Sequence, residues 1–101
     1  MRQPRHPGTE EIELANVLSA LGDPVRLHIV EVLADRAEHT RDDFEVALAQ
    51  STLSHHMKTL REAGVTRHRN EGTRCYVRLR DDVEELYPGV LGSVLAAVRR
   101  S

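Results

Sequence analysis

Residues 51–64 read STLSHHMKTLREAG, and this stretch decides the fold. Leu53, Met57 and Leu60 recur at helical spacing, and Gly64 follows them as a stop. Ser51, Thr52, Ser54, His55, Lys58, Thr59 and Arg61 cover the opposite side. That side holds hydroxyls, an imidazole and cations, with no apolar side chain. Its only acid, Glu62, falls in the last turn. A solvated helix face normally mixes both signs of charge. A face of donors and small hydroxyls suits a DNA major groove, where helix N-termini approach phosphates and side chains meet base edges.

The segments before this helix are helical. Residues 1–9 contain Pro4, Pro7 and Gly8 and read as a flexible arm, with one domain over 10–101. Thr9, with Glu10 and Glu11, is expected to open a first helix whose buried stripe is Ile12, Ala15, Leu18 and Leu21. Asp23-Pro24 is the sharpest local signal: an N-cap acid followed by proline at the first helical position. The helix it starts should run to about Ala34. It is apolar on most sides, so it belongs at the centre. Thr40 can cap a short third helix with Phe44, Ala47 and Leu48 inward. Only two or three residues would then separate it from the Ser51 helix. That is a helix-turn-helix.

After Gly64 the pattern alternates. Residues 65–69 and 73–80 flank Asn70-Glu71-Gly72, a plausible hairpin turn. Cys75, Val77 and Leu79 share one face; Arg74, Tyr76 and Arg78 share the other. Such a hairpin is a wing, its basic face suited to a phosphate backbone. Residues 81–101 then read as a short turn and a fresh helix beginning at Pro88. This terminal helix carries more apolar surface than one small domain covers, so a homodimer contact is expected. The fold class is therefore mainly α with a two-stranded β wing.

At 101 residues the chain makes one domain. It has one cysteine, which excludes an internal disulfide framework. No apolar run approaches a membrane span, and the N-terminal residues lack a signal region, so a cytoplasmic protein without membrane partners is expected. The net charge is −2, but its distribution is uneven. Residues 1–50 hold five Lys/Arg and ten Asp/Glu, residues 51–80 hold seven and two, and residues 81–101 hold two and four. Nucleic acid needs a local positive surface rather than a basic whole. No nucleophile–base pair, phosphate loop or paired carboxylates suggest an enzyme.

ALGDPVRLHIVEVL, QSTLSHHMKTLREAGV and NEGTRCYVRL together resemble the ArsR/SmtB family of winged-helix transcriptional regulators over roughly residues 10–100. The resemblance implies a homodimeric regulator on a double-stranded, inverted-repeat DNA operator. It places Gln50, Ser51, Thr52, Ser54, His55 and Lys58 at DNA-reading positions, and Arg69 and Arg74 near phosphates. Thr59 and Arg61 join them from the outward face. Ala47 and Ala49 depart from the family's usual Gly and Ser cap, so the third helix is expected to run on.

Many members sense a metal. A Cys-x-Cys pair in the third helix is missing here, and residues 90–101 contain no His, Asp or Glu. What remains is His6, His28, His39, His68 and Cys75, of which His6 on the arm and His28 on the second helix, with Glu31, could come together. These suit nickel, cobalt or zinc. His55 reads as a groove donor, His56 as a half-buried support, and His68 as solvated or near phosphate. Cys75 reads as core packing. Two other readings stand beside metal control: an effector-independent regulator working with a co-regulator protein, and a winged-helix module that binds protein.

Overall fold

A computed structural model describes residues 2–100; Met1 and Ser101 lie outside the described residues. The helix begun by Asp23 organises it. This helix, α2, spans Pro24–Val32 and follows α1, Leu14–Leu21. The Asp23 carboxylate accepts the Val25 N–H at 2.9 Å and the Arg26 N–H at 3.1 Å. Two of the amides a helix start leaves open are thereby satisfied. Ile29, Val30 and Leu33 are wholly buried. Around them pack Val17 and Leu21 of α1, Phe44, and Leu53, Met57 and Leu60 of α3, Gln50–Glu62. Val77, Leu79, Val83 and Leu91 close the core.

Two expected helices come out shorter. Thr9–Glu11 is only a 3-10 turn, and Ile12 is extended before α1 begins. The Thr9 hydroxyl caps nothing; it donates to Asp82 at 2.6 Å. The break rotates α1, so Val17, Ala20 and Leu21 are buried while Leu14 and Leu18 stay 39% and 48% exposed. The expected third helix is also a 3-10 turn, Arg41–Phe44. Asp43 holds its start by accepting the Thr40 N–H at 3.2 Å. Glu45 then enters the left-handed region at φ 51°, which stops the turn, and Leu48 points outward. Five residues, not two or three, lead into α3.

The wing pairs β1, Thr66–Glu71, with β2, Arg74–Leu79, antiparallel, with Glu71 opposite Arg74. The turn is therefore Gly72-Thr73, two residues instead of the expected three, with Asn70 and Glu71 drawn into β1. Gly72 takes φ 60° at its first central position, where glycine is favoured. His39 bridges β2 from outside: its N–H and C=O both bond Val77 at 2.8 Å. After the wing come α4, Asp82–Leu86, and α5, Val90–Arg100. Pro88 lies in the turn before α5 rather than at its first position; Gly89, at φ 84°, takes the Ser93 N–H at 2.9 Å on its carbonyl.

Gly64 joins α3 to the wing at φ 87°, and a β-carbon there would meet the Ile12 side chain at 2.6 Å. Left-handed backbone and a blocked site act together, so Gly64→Ala is expected to destabilise the fold by more than about 1 kcal/mol. Urea unfolding of the variant checks this; an unchanged midpoint would contradict it. Among the described residues, no helix is long and apolar enough to cross a membrane.

Candidate nucleic-acid interface

The two faces of α3 fall as the apolar spacing requires. Leu53, Met57 and Leu60 are buried, and Gln50, Ser51, Thr52, His55 and Lys58 are exposed. Ser54, Thr59 and Arg61 are half-buried. Thr59 turns its hydroxyl back onto the His55 carbonyl at 3.0 Å, and Arg61 keeps a buried Nε without a hydrogen-bond partner. Ala49 offers no capping side chain, so the first turn of α3 leaves its amides open. An open helix N-terminus favours an approaching anion.

That first turn is braced from outside. The Arg41 guanidinium donates to Gln50 Oε1 at 2.7 Å and to Ser54 Oγ at 2.9 Å. Gln50 is thereby oriented with its amide hydrogens left over for an acceptor. The brace fixes two predicted reading residues through a residue that sequence reasoning missed. No local pattern points to it, because Arg41 lies nine positions before Gln50. At the other side, His56 Nδ1 meets Arg26 at 3.0 Å and Asp23 at 3.7 Å. Thus His56 ties α3 to the start of α2, as a half-buried support should.

The wing brings its tip towards the start of α3. A cleft of about 420 Å³ lies between them, lined by Arg41, Gln50, Thr73, Arg74 and Cys75 among others. Arg74 is exposed there. Arg69 is spoken for: it takes Glu38 in a two-point pair at 3.0 Å and 3.0 Å, reaches Glu71 at 2.6 Å, and lies 4.6 Å over the Tyr76 ring. Its hydrogen bonds hold the Glu38 carboxyl below the usual carboxylate range. Cys75 is half-buried, and burial pushes its thiol up.

The histidines take separate partners. His28 Nε2 sits 2.7 Å from the Phe44 carbonyl. His6 Nε2 accepts the backbone N–H of His68 at 2.8 Å. The structure thus occupies one ring nitrogen of each proposed metal ligand with a different backbone group. Among the described residues, no three or more His, Cys, Asp or Glu side chains gather in a form that could hold a metal ion. His68 is not solvated, contrary to the expectation from its place on the wing. It is 5% exposed, 2.8 Å from the Thr66 hydroxyl, and desolvation lowers its pKa to about 3. The strand's own alternation carried the signal: Arg67, Arg69 and Glu71 face out, so Thr66 and His68 face in. His39 has Asp35 at 2.9 Å on Nε2 and Asp43 at 3.0 Å on Nδ1, and its pKa is raised chiefly by the Asp35 bond.

The chain's relatives are regulators. A family profile described as a helix-turn-helix domain matches residues 21–69. An uncharacterized HTH-type transcriptional regulator of Bacillus subtilis, YceK, is 38% identical over 82 residues, covering 76% of this chain and 81% of that protein. The crystal structure of the transcriptional repressor BigR from Xylella fastidiosa superposes with a TM-score of 0.66 at 27% identity, covering 86% of this chain and 83% of that one. An ArsR family transcriptional regulator, RHA00566, superposes with a TM-score of 0.65 and covers 95% of this chain and 93% of its own; at 18% identity it speaks for the fold alone. With these likenesses, the wing and the exposed polar face of α3, the chain belongs to the ArsR/SmtB-type winged helix-turn-helix family of DNA-binding transcription regulators.

Proposed function

We propose that the protein acts in the cytoplasm as a homodimeric repressor that reads an inverted-repeat operator. One observation carries this reading: Gln50, Ser51, Thr52, His55 and Lys58 form an exposed α3 face without apolar groups, whose only acid, Glu62, falls in the last turn, while the other face is locked into the core. Two such helices about 34 Å apart enter successive major grooves of a duplex. Lys58, Arg61 and Arg74 supply phosphate contacts, while Arg69, expected among them, is held by Glu38 and Glu71. Repression is the activity named for BigR, and it follows for an operator overlapping a promoter. Dimerisation is supported by the exposed Leu14 and Leu18 of α1 and the half-exposed Val94 and Val98 of α5, which leave apolar faces uncovered. Nickel, cobalt or zinc control through His6 and His28 gains no support from their geometry, so regulation by abundance or by a co-regulator protein is the simpler reading of the effector.

The test is sedimentation combined with fluorescence anisotropy on duplex DNA from the gene's own upstream region. Lys58→Ala should weaken binding to any sequence and lower the salt slope by about 1 per protomer. His55→Ala should cost about tenfold on the cognate duplex only. A single subunit that binds no duplex at low salt would refute the proposal. Arg41→Ala is expected to loosen Gln50 and Ser54 and lower cognate affinity by about tenfold while the fold stays intact. Unaltered binding by that variant would mean the Arg41 brace plays no part in recognition.

A further inference from the structure

The arm carries two exposed cations, Arg2 and Arg5, and among the described residues neither is paired with a carboxylate. The arm is nevertheless held in place. The Gln3 amide closes a two-way contact with the Asn70 backbone, Oε1 accepting its N–H at 2.8 Å and Nε2 donating to its C=O at 2.9 Å. Asn70 Nδ2 donates to the Arg2 carbonyl at 3.0 Å. His6 takes the His68 N–H, and Arg80 donates to the Pro7 carbonyl at 2.7 Å. The Gln3 and His6 side chains thus satisfy the outward groups of β1 much as a third strand would.

The direction of the arm matters. Followed back from Thr9, it passes Asp82, Arg80, His68 and then Asn70. It runs from the base of the wing towards its tip, so Arg2 lies against Asn70, two residues before Gly72. That tip faces the start of α3 across the cleft lined by Gln50 and Arg74. A duplex engaged by α3 meets the tip. There the wing's own Arg69 is already bound to Glu38 and Glu71.

We infer that the docked arm is a DNA-contacting element, with Arg2 near the wing tip and Arg5 near the C-terminal end of α3 supplying sequence-independent phosphate contacts. Gln3 is a positioning residue: it fixes the arm to the edge of β1 so that the two cations meet the backbone already ordered. This rests on the operator-binding reading above. The partner is duplex DNA because both cations stand against elements the duplex engages: Arg2 is carried towards the wing tip by the Asn70 contact, and Arg5 lines a hollow with Arg61 and Glu62 at the C-terminal end of α3.

The experiment uses the whole protein and two labelled duplexes of equal length, one from its own upstream region and one unrelated. Arg2→Ala/Arg5→Ala should bind both about tenfold more weakly at low salt, with the salt slope reduced by about 2 or more and the preference between duplexes unchanged. Gln3→Ala keeps both charges and should lose about fivefold by releasing the arm. Wild-type affinity and slope in the double variant would overturn the inference, as would a loss confined to the cognate duplex. Full affinity in Gln3→Ala would overturn the docked placement. Failure of the wild type to bind either duplex would remove the operator reading itself, and the arm's role with it.

Discussion

Replacing Arg80 with methionine is expected to destabilise the protein by about 2 kcal/mol or more, because it removes a buried, fully hydrogen-bonded guanidinium and leaves the partly buried Asp82 carboxylate without its partner. Arg80 is 4% exposed although it is an arginine at the end of a strand. Its Nε and Nη2 hold the two Asp82 oxygens at 3.2 Å and 2.9 Å. The remaining nitrogen reaches Pro7, and Thr9 donates to the same carboxylate. These bonds hold the Asp82 carboxyl far below the usual carboxylate range, the Arg80 hydrogen bond being the largest cause. One guanidinium therefore joins the wing, the arm and the start of α4. Urea unfolding measures the loss, and Arg80→Met/Asp82→Leu should recover part of it, since an apolar pair leaves no charge stranded. An Arg80→Met variant as stable as the wild type would show that the pair contributes nothing.

The second large effect is an acid transition centred on His68. Its folded pKa, about 3, lies below the unfolded value, so the folded state favours the neutral ring. The stability this contributes is complete above about pH 6.5 and is lost as pH falls towards the folded value. Between pH 7 and pH 4.5 the expected loss is about 2–3 kcal/mol. His6 acts in the same direction: burial and then Arg67 lower its pKa, and its Nε2 accepts the His68 amide only when unprotonated. His39 has the opposite sign. Its raised pKa gives stability that is present below its unfolded value and fades as pH rises through the folded one, so it changes little over this acid window. Paired urea titrations of wild type and His68→Gln at the two pH values make the test. Equal losses in both proteins would assign the transition to other groups.

How far the fold was legible follows from the range of each cause. Asp23-Pro24 acts within its own helical turn, so it marks the start of α2 from sequence alone. The α3 faces follow from apolar spacing over three turns, and the hairpin from alternation around a glycine. The third helix was misread because residues 45–50, EVALAQ, favour a helix, while Glu45 is left-handed in the fold. The first buried stripe was misplaced because an extended Ile12 resets the phase before α1. At the interface, exposed residues of α3 were readable because exposure is the default for the polar side of an amphipathic helix. Arg69 was not: its partner Glu38 lies far back in the chain. Gln3 and the Arg80 bond to Pro7 act across 67 and 73 positions and Arg41 across nine, beyond any local pattern.

The hairpin also bears on how copies behave when crowded. A two-stranded ribbon ordinarily presents bare rims on which a stranger's backbone can zip up. Here Gln3 and His6 occupy one rim, and the peptide of His39 occupies the other. Self-association through wings is thereby discouraged, and contact between molecules is left to the helical surfaces. Deleting the arm should consequently raise turbidity on storage at high concentration.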